Sequence, residues 1–530
     1  MIKVRQVRVE IENNSKEEIK RKTAKKLNIK ESNILDFFIR KESLDARDKN
    51  DIHYSYEIDV VVADEEKVLR ENQSSDISLT VEEKYIFDVI GSKMLKKRPI
   101  VVGSGPAGLF TAYILAENGY KPIIIERGEK VEDRIKSVEK FWNTGVLNKN
   151  SNVCFGEGGA GTFSDGKLNT LVKDKKNRVF KVFETFVKCG ANEEIMYVNK
   201  PHIGTDVLRD VVINVRKKII EMGGDFYYNT TLTDIEIENN EIKSIIVNEK
   251  EKIECEVLVL AIGHSARDTF EMLYERKINM VSKPFAVGIR IQHPQSMINS
   301  SQYGNLKVTV PNASYKLTYT ASNKRGVYSF CMCPGGYVVN ASSEDKRLVI
   351  NGMSNHKRDS GNANSAIIVT VTRDDFGNGP LDGLKYQEKL EEKAYILGNG
   401  KIPVQLLSDF EHNRISNSFK EVIPVFKGDY CFANLNDLLP QYIIESLKEA
   451  IPYFNTKIKG FGREDAIIAG IESRTSSPVR IERDENFVCN IKGIFPCGEG
   501  SGYAGGITTA AIDGIKVAEK IAEIYRGIDF

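Results

Sequence analysis

Branched and aromatic residues alternate with charged ones at the start of the chain. Valine and isoleucine occupy every second position over residues 7–11, which predicts a strand with one buried face. Residues 15–18, Ser-Lys-Glu-Glu, have the pattern of a capping box and predict the start of a lysine-rich helix. Two extended stretches, 34–40 and 54–62, are rich in residues that favour strands. The pattern therefore predicts a small α+β module over residues 1–95.

The pattern then changes to a strand, a glycine turn, a helix and a second strand in residues 100–128. This order is typical of a βαβ unit in a parallel sheet with helices on both faces. After about residue 280 the chain becomes rich in strands punctuated by glycine, and the earlier pattern returns near residue 460. We predict an α/β protein whose doubly wound domain, residues 96–280 and 457–530, is split by an antiparallel-β-rich insert at 281–456.

Length, charge and cysteine content narrow the class of protein. The 530 residues suffice for about three domains. The 75 basic and 74 acidic residues leave no general field that would attract nucleic acid or an anionic membrane. No apolar run approaches the length of a membrane span or a signal peptide. The eight cysteines form no C-x-x-C pair, so we expect no metal site and a reducing, cytoplasmic location.

A glycine-rich fingerprint, Gly-Ser-Gly-Pro-Ala-Gly at residues 103–108, follows the first strand of the βαβ unit, and Glu126 follows the second. Gly103 permits the tight turn, Gly105 lets a pyrophosphate approach the backbone, and Gly108 lets helix and strand pack closely. Free N–H groups at the start of the helix favour phosphate, and Glu126 is expected to accept from ribose hydroxyls. The fingerprint predicts a Rossmann-type dinucleotide site without choosing between FAD and NAD.

Three distant segments resemble those of two-dinucleotide-binding flavoproteins with a glutathione-reductase-like FAD fold. Residues 256–263 resemble a strand that ends in a glycine beside the FAD, and residues 493–499 resemble the strand beside the ribityl chain. The stretch 155–168 resembles a loop around the pyrophosphate. Residues 502–509 lead into a helix whose N-terminus would stabilise negative charge at the flavin edge. The whole chain is similar to bacterial FAD-dependent dehydrogenases of unknown substrate.

The resemblance implies non-covalent FAD as the cofactor, held by a Rossmann-type FAD-binding domain that follows the small α+β module and carries an inserted antiparallel-β-rich substrate domain. One departure is Glu499, which stands where such flavoproteins have an aspartate bonded to the ribityl chain. The residues expected to bind FAD are Gly103, Ser104, Gly105, Pro106, Ala107, Gly108, Glu126, Arg127, Gly158, Gly159, Gly161, Thr162, Ser164, Leu232, Gly263, Gly498, Glu499, Gly505, Gly506, Ile507 and Thr508.

Candidate catalytic groups lie beside the segments assigned to FAD. His264 follows the glycine that ends the strand at 256–263 and would suit proton transfer, with a hydrogen-bonded loop histidine as the alternative. Arg474 is the first choice for a clamp on a carboxylate or phosphate, with a structural ion pair as the alternative. Other arginines for which the same two interpretations stand are Arg267, Arg290 and Arg480.

The insert contributes the third catalytic candidate. Cys331 and Cys333 place two thiols close together, and Cys333 is proposed as a thiol over the flavin, with buried core cysteines as the alternative. A second nucleotide domain is not supported, because the glycines at 398–400 lack a third glycine and a following helix. Reduced nicotinamide, NAD(P)H, stays open as an electron donor without a domain of its own.

The leading hypothesis is an FAD-dependent oxidoreductase that acts on a small organic substrate, anionic if one of the arginines binds it. An RNA-binding flavoprotein is an alternative suggested by the lysine-rich helix, but residues 1–97 hold equal numbers of basic and acidic residues, which does not favour nucleic acid as a partner. A flavin-binding sensor or structural protein is the third. The sequence indicates neither the substrate nor the oligomeric state.

Overall fold

The computed structural model describes residues 1–81, 84–170 and 172–527. Its N-terminal unit is an antiparallel sheet with the strand order β2-β3-β1-β4. Ile2, Val4, Val7 and Val9 are buried on one face, with a bulge between the second and third of these. The elements are β1 (Ile2–Glu10), α1 (Lys16–Lys26), β2 (Ile34–Asp45), β3 (His53–Val62), α2 (Glu65–Glu71) and β4 (Ile77–Leu79).

Two details of this unit differ from the sequence pattern. Residue Ile11 begins a 3-10 turn and not a strand position. The Ser15 hydroxyl does accept from the Glu18 N–H, at 3.2 Å, so the predicted N-cap is confirmed. The reciprocal half of the capping box is wrong, because the Ser15 N–H donates to the Asn13 carbonyl and the Glu18 carboxylate pairs with Arg21.

The next part of the chain builds most of a parallel sheet. Strands β8, β7, β6 and β12 lie side by side in that order, all parallel. A separate antiparallel meander, β9 to β11, lies between them in sequence. The elements are β5 (Lys93–Met94), β6 (Ile100–Val102), α3 (Pro106–Glu117), β7 (Ile123–Ile125), α4 (Val131–Thr144), α5 (Arg178–Lys188), α6 (Thr205–Glu221), β8 (Asp225–Tyr227), β9 (Leu232–Glu238), β10 (Glu241–Val247), β11 (Glu251–Glu254), β12 (Leu258–Leu260) and α7 (Arg267–Glu275).

The following unit contains a seven-stranded sheet of order β15-β16-β19-β14-β23-β20-β22, antiparallel except between β20 and β22. Strands β18, β17 and β21 form a smaller sheet. The elements are β13 (Met280–Ser282), β14 (Phe285–Pro294), α8 (Gln295–Tyr303), β15 (Thr318–Thr320), β16 (Gly326–Cys333), β17 (Tyr337–Asn340), β18 (Ile350–Met353), β19 (Asn362–Val371), α9 (Arg373–Phe376), α10 (Asp382–Leu397), β20 (Ile402–Leu406), α11 (Leu407–Glu411), β21 (Phe426–Lys427), β22 (Tyr430–Phe432), α12 (Gln441–Lys457) and β23 (Ile467–Glu472).

Strand β23 lies in a different sheet from the one that the sequence division gave it. Residues from 457 onward were assigned to the nucleotide domain, but β23 pairs with β14 and β20 in the seven-stranded sheet. All six of its residues are buried, so its apolar run is equally compatible with either sheet. Sequence periodicity therefore could not place this strand.

The chain then returns to the parallel sheet through β24 (Val479–Ile481), β25 (Ile494–Pro496), α13 (Ile507–Ile524) and β26 (Tyr525–Arg526). Strand β25 pairs with β12 and completes a five-stranded parallel sheet. Strand β24 pairs with β13, Val479 opposite Ser282, so the chain enters and leaves the second unit at adjacent points. Short 3-10 turns lie at Ile11–Asn13, Glu31–Asn33, Gly159–Phe163, Glu193–Met196 and Leu435–Asp437.

Helix α3 lies at the centre of the nucleotide half. Residues 107–116 are all buried, as expected for a helix that is apolar on every side. Helix α13 packs against it so closely that a Cβ on Gly514 would stand 2.3 Å from the Ala107 carbonyl oxygen. Among the described helices, we find none with the length and apolar character needed to cross a bilayer. The N-terminal ends of α3 and α13 both lie at the candidate site.

Candidate cofactor and substrate site

A cavity of about 400 Å³ opens at the carboxyl ends of the parallel strands. This edge is where open α/β sheets bind ligands. The predicted FAD residues that line the cavity are Gly103, Gly105, Pro106, Ala107, Glu126, Arg127, Gly159, Gly161, Ser164, Leu232, Gly263, Glu499, Gly505, Gly506 and Ile507. Those that do not line it are Ser104, Gly108, Gly158, Thr162, Gly498 and Thr508.

The fingerprint glycines have different surroundings. Gly103 has a φ of +97°, and a Cβ there would stand 2.6 Å from the Ala261 carbonyl oxygen. A Cβ on Gly108 would stand 1.9 Å from the Gly103 carbonyl oxygen, so this glycine serves the contact of helix and strand. At Gly105 the nearest atom to a Cβ would be the Gly159 Cα at 3.8 Å, so an added methyl group would occupy the cavity itself.

Two helix N-termini open on the cavity. Helix α3 begins after Gly105 and α13 begins after Gly506, and no side chain caps either first turn. The first N–H groups of a helix lack partners within the helix, and they carry part of its positive dipole. Thr508, behind the second terminus, donates its hydroxyl to the Leu168 carbonyl and ties α13 to the glycine-rich segment. Both termini therefore present donors suited to an anionic ligand.

The Glu126 carboxylate is held by four protein donors. One oxygen accepts from the Ser104 N–H and hydroxyl at 2.9 and 2.8 Å, and the other accepts from the N–H groups of Gly128 and Gly156, each at 3.0 Å. Buried Ser104 thus acts on the site through Glu126 and not as part of the cavity wall. These bonds fix the carboxylate at the cavity edge. Beside it, the Arg127 guanidinium lies 4.5 Å from the centre of the Phe155 ring.

The segment 155–168 folds over the fingerprint loop. The Gly158 N–H donates to the Ser104 carbonyl at 2.9 Å, and Thr162 is buried with its hydroxyl on the Glu157 carbonyl. Two residues of this segment that the sequence reasoning missed, Asp165 and Lys167, also line the cavity. Other missed lining residues include Cys154, Phe330, Asn351, Glu472 and Thr475, most of which come from the second unit.

Buried Asp165 and half-buried Lys167 form a charged pair at the end of the cavity that adjoins the second unit. Their closest N–O distance is 3.5 Å, and Arg358 and the Ser354 hydroxyl also bind the carboxylate. Burial alone would raise the pKa of Asp165, but the charges of Lys167 and Arg358 hold that pKa well below its ordinary value. Both groups are therefore charged at neutral pH. The sequence signal for them was only their position in the glycine-rich segment.

His264 and Glu499 are neighbours in the wall of the cavity. The His264 Nδ1 atom lies 3.6 Å from the Glu499 Oε1 atom. Burial, together with the charges of Arg474 and Arg267, lowers the pKa of His264 to about 3. Burial raises the pKa of Glu499 to about 7, although the charge of Lys283 opposes this. The imidazole is neutral at physiological pH, and the carboxyl titrates there.

We expect a glutamine at Glu499 to change the pH dependence of stability of the protein without FAD. A folded-state pKa above the ordinary 4.5 favours folding below that value, and the contribution is lost as the pH rises through about 7. Thermal unfolding should therefore show wild type losing stability relative to Glu499→Gln between pH 5 and pH 8. Exposed Glu482→Gln is the control. An equal difference from wild type at both pH values would contradict the assignment.

Arg474 is engaged in a structural ion cluster. Its guanidinium donates to Glu391 at 2.9 and 2.6 Å and to the Ser343 hydroxyl at 2.6 Å. Arg267 donates to the same carboxylate at 2.9 and 2.8 Å. Of the two interpretations of Arg474, the structure shows the ion pair, although its side chain still borders the cavity. Arg290 is likewise paired, with Glu472 at 2.9 and 3.0 Å, and Arg480 lies over the Tyr503 ring.

The structure places Cys331, and not the predicted Cys333, at the cavity. Strand β16 has a bulge between Phe330 and Cys333 where it pairs with β19, and Cys331 within it has a φ of +42°. The extra residue of a bulge re-aims side chains. Cys333 is buried and donates to the Cys331 carbonyl at 3.3 Å.

Comparisons with known proteins match three segments of the chain to domain families and nearly the whole chain to one relative. A family described as "FAD-dependent protein, C-terminal domain-like" matches residues 284–475, an NAD(P)-binding Rossmann-like domain matches residues 101–153, and a domain of unknown function matches residues 1–61. An uncharacterised protein of Clostridium beijerinckii is 50% identical over 514 residues, which are 96% of this chain and 96% of that protein.

Solved structures that the chain matches include three oxidoreductases. They are quinol fumarate reductase of E. coli (TM-score 0.35, 11% identity, 82% of this chain and 70% of that one), glycine oxidase of Bacillus cereus (0.30, 14%, 80% and 95%) and L-proline dehydrogenase of P. horikoshii (0.33, 15%, 82% and 94%). At these TM-scores they carry no argument about the activity.

The fold and the matched domains define a Rossmann-type flavoprotein of the FAD-dependent oxidoreductase class, and its cofactor is FAD. The chain belongs to the same family as the clostridial relative, and its residues 284–475 match the C-terminal domain of FAD-dependent proteins.

Proposed function

We propose that this protein transfers two electrons between bound FAD and a small organic substrate held between the parallel sheet and the second unit. One observation carries the proposal. The cavity that begins at the fingerprint glycines continues to Phe330, Cys331, Asn351 and Glu472 of the second unit. A cofactor lying along this cavity would have its far end against side chains that belong to no nucleotide-binding motif. Those side chains are where a substrate would bind.

The residues present fit FAD. The wall at Gly105 is open enough for a phosphate, and both uncapped helix termini face the cavity. Among the described residues, the buried Ser265 hydroxyl lines the cavity and has no protein partner for its hydrogen bonds. We assign Gly103–Gly108 and the loop around Gly159 to the pyrophosphate and Glu126 to the adenosine ribose. The start of α13 is assigned to the flavin edge, and Glu499 to a position beside the ribityl chain.

Bound FAD supplies the acceptor or donor of the electron pair. The side chains around it hold charge and protons. The N-terminus of α13 favours negative charge near it, by about 0.3 to 1 kcal/mol at an exposed site and more when partly buried. Glu499 holds or releases a proton near pH 7, and the His264 ring, which stays neutral there, lies 3.6 Å from this carboxyl. Lys167 fixes a positive charge at the substrate end, which suits a substrate with a carbonyl or carboxylate oxygen.

The test is a comparison of bound with free FAD. Purified protein should be yellow and contain about one FAD per chain, and at least one class of donor should reduce the bound FAD anaerobically faster than it reduces free FAD. The classes to test are hydroxy acids, amino acids, dithiols and NAD(P)H. Heat-denatured protein with free FAD is the control. If every class reduces bound and free FAD at the same rate, the cofactor serves stability or sensing, and the proposed oxidoreductase function is wrong.

A further inference from the structure

We propose that Cys331 and Cys333 form a redox-active dithiol that exchanges two electrons with bound FAD, which makes a dithiol or disulfide compound the substrate class of this site. The inference rests on the proposed function. It gives a chemical role to a feature that FAD binding does not explain: two thiols, two residues apart, at a bulge in the strand that closes the substrate end of the cavity.

The two thiols are placed unequally. Cys331 lines the same cavity as the fingerprint glycines Gly103 and Gly105. Cys333 is fully buried behind it, with its sulfur 3.3 Å from the Cys331 carbonyl oxygen. Thiol–disulfide exchange depends on access to the sulfur that attacks or is attacked, and of these two sulfurs the Cys331 sulfur is the one at the cavity. Cys331 has a left-handed φ of +42°, which is uncommon outside glycine, within the bulge at which it lines the cavity.

The charges around the pair favour a thiolate at the accessible position. The neighbouring Cys333 side chain lowers the pKa of the Cys331 thiol well below its ordinary value, while burial and the charge of Asp165 oppose the shift. The ammonium of Lys167 and the guanidinium of Arg290 lower it further. Each cation is also attached to this short segment: Lys167 donates to the Met332 carbonyl, and Arg290 donates to the Cys331 carbonyl at 3.1 Å. The thiolate is the form that attacks a disulfide.

The step balances with FAD as the only oxidant. Both S–H bonds break, a bond forms between the two sulfur atoms, and the two electrons and two protons released reduce the bound FAD. A substrate dithiol then regenerates the pair. Its thiolate attacks the Cys331–Cys333 disulfide, its second thiol displaces the mixed disulfide, and the substrate leaves as its own disulfide. The same sequence runs in reverse for a substrate disulfide.

Another cysteine in the cavity provides a matched comparison. Cys154 lines the same cavity, but its sulfur donates to the Ala341 carbonyl at 3.4 Å. Its sulfur also accepts from the Arg474 guanidinium at 3.8 Å, and among the described residues it forms no hydrogen bond with a second thiol. A serine at Cys154 therefore removes a cavity thiol without removing a pair, and a serine at Cys431, which does not line the cavity, removes a thiol elsewhere.

The experiment counts electrons in the FAD-loaded, air-oxidised protein during anaerobic titration with dithionite. Wild type should take up about four electrons per FAD, two for the flavin and two for the disulfide, whereas Cys331→Ser and Cys333→Ser should take up about two. Cys154→Ser and Cys431→Ser should stay at about four. Dithiothreitol should reduce the bound FAD at least about tenfold more slowly in Cys331→Ser than in Cys154→Ser.

Peptide mass measurement on air-oxidised wild type, alkylated without prior reduction, supplies evidence that needs no variant. The peptide with both cysteines should lack two hydrogens and carry no alkyl group. If wild type takes up about two electrons and both cysteines alkylate fully, the dithiol is wrong while the oxidoreductase function stands. If the protein binds no FAD, the proposed function itself fails. A variant that does not fold is recognised by loss of the flavin absorbance.

Discussion

Replacing Gly105 with alanine should raise the Kd for FAD by about ten- to a hundredfold, or about 1.4 to 2.8 kcal/mol, while leaving the fold intact. The methyl group would stand in the cavity, 3.8 Å from the Gly159 Cα and away from other protein atoms. The backbone at Gly105, with a φ of −71°, is one that alanine adopts without strain. The added methyl group therefore obstructs cofactor binding and leaves the fold of the protein unchanged.

The measurement is titration of the FAD-free protein with FAD, followed by flavin fluorescence, with far-ultraviolet circular dichroism as the check on folding. Gly361→Ala is the matched control, because a Cβ there has no atom of the described residues within 4 Å and the residue does not line the cavity. Wild-type affinity in Gly105→Ala would show that no phosphate approaches the backbone at this position. Loss of affinity in both variants would point to a general effect of glycine replacement.

Glu391→Gln should lower the free energy of unfolding by about 3 to 5 kcal/mol at pH 7, the largest stability effect that we expect. The carboxylate is fully buried and accepts five hydrogen bonds from Arg267, Arg474 and Ser473. A glutamine of the same shape would leave two buried guanidinium groups with Glu344 as their remaining acidic partner among the described ion pairs. An unbalanced buried charge costs far more than a lost surface ion pair.

The effect should depend on pH with a definite sign. The charges of Arg267 and Arg474 outweigh burial and hold the pKa of Glu391 well below its ordinary 4.5. Its stabilising contribution is thus complete above pH 4.5 and falls as the pH drops below that value. Urea unfolding at pH 7 and pH 4 should show the gap between wild type and Glu391→Gln narrowing in acid. Exposed Glu392→Gln should stay within about 0.5 kcal/mol of wild type, and an equal loss in both variants would contradict this account.

The sequence predicted the parts of the fold that local patterns encode. Alternation marked the strand that buries Val7 and Val9, and the fingerprint with Glu126 marked the βαβ unit and one wall of the cavity. Each of these signals lies within about thirty residues, where turn geometry and hydrophobic periodicity act directly. The general position of the site followed from the same local signals.

Long-range pairing was outside the reach of these signals. Arg474 is neutralised by Glu391, 83 residues away in the chain, so the sequence could not choose between an anion clamp and an ion pair. Cys331 lines the cavity in place of the predicted Cys333 because β16 has a bulge where it pairs with β19. The sequence of β16 alone does not show this register. A fully buried strand such as β23 carries no alternation to show which sheet receives it.

Strands β13 and β24 pair antiparallel, with Ser282 opposite Val479. The second unit is therefore an inserted domain whose two ends lie side by side. An inserted domain of this kind can be replaced at one place in the fold, while the parallel sheet and its helices keep their own hydrophobic core. The substrate end of the cavity could then change in evolution while cofactor binding is kept. Cys331, Asn351 and Glu472 belong to the inserted domain, and the fingerprint glycines do not.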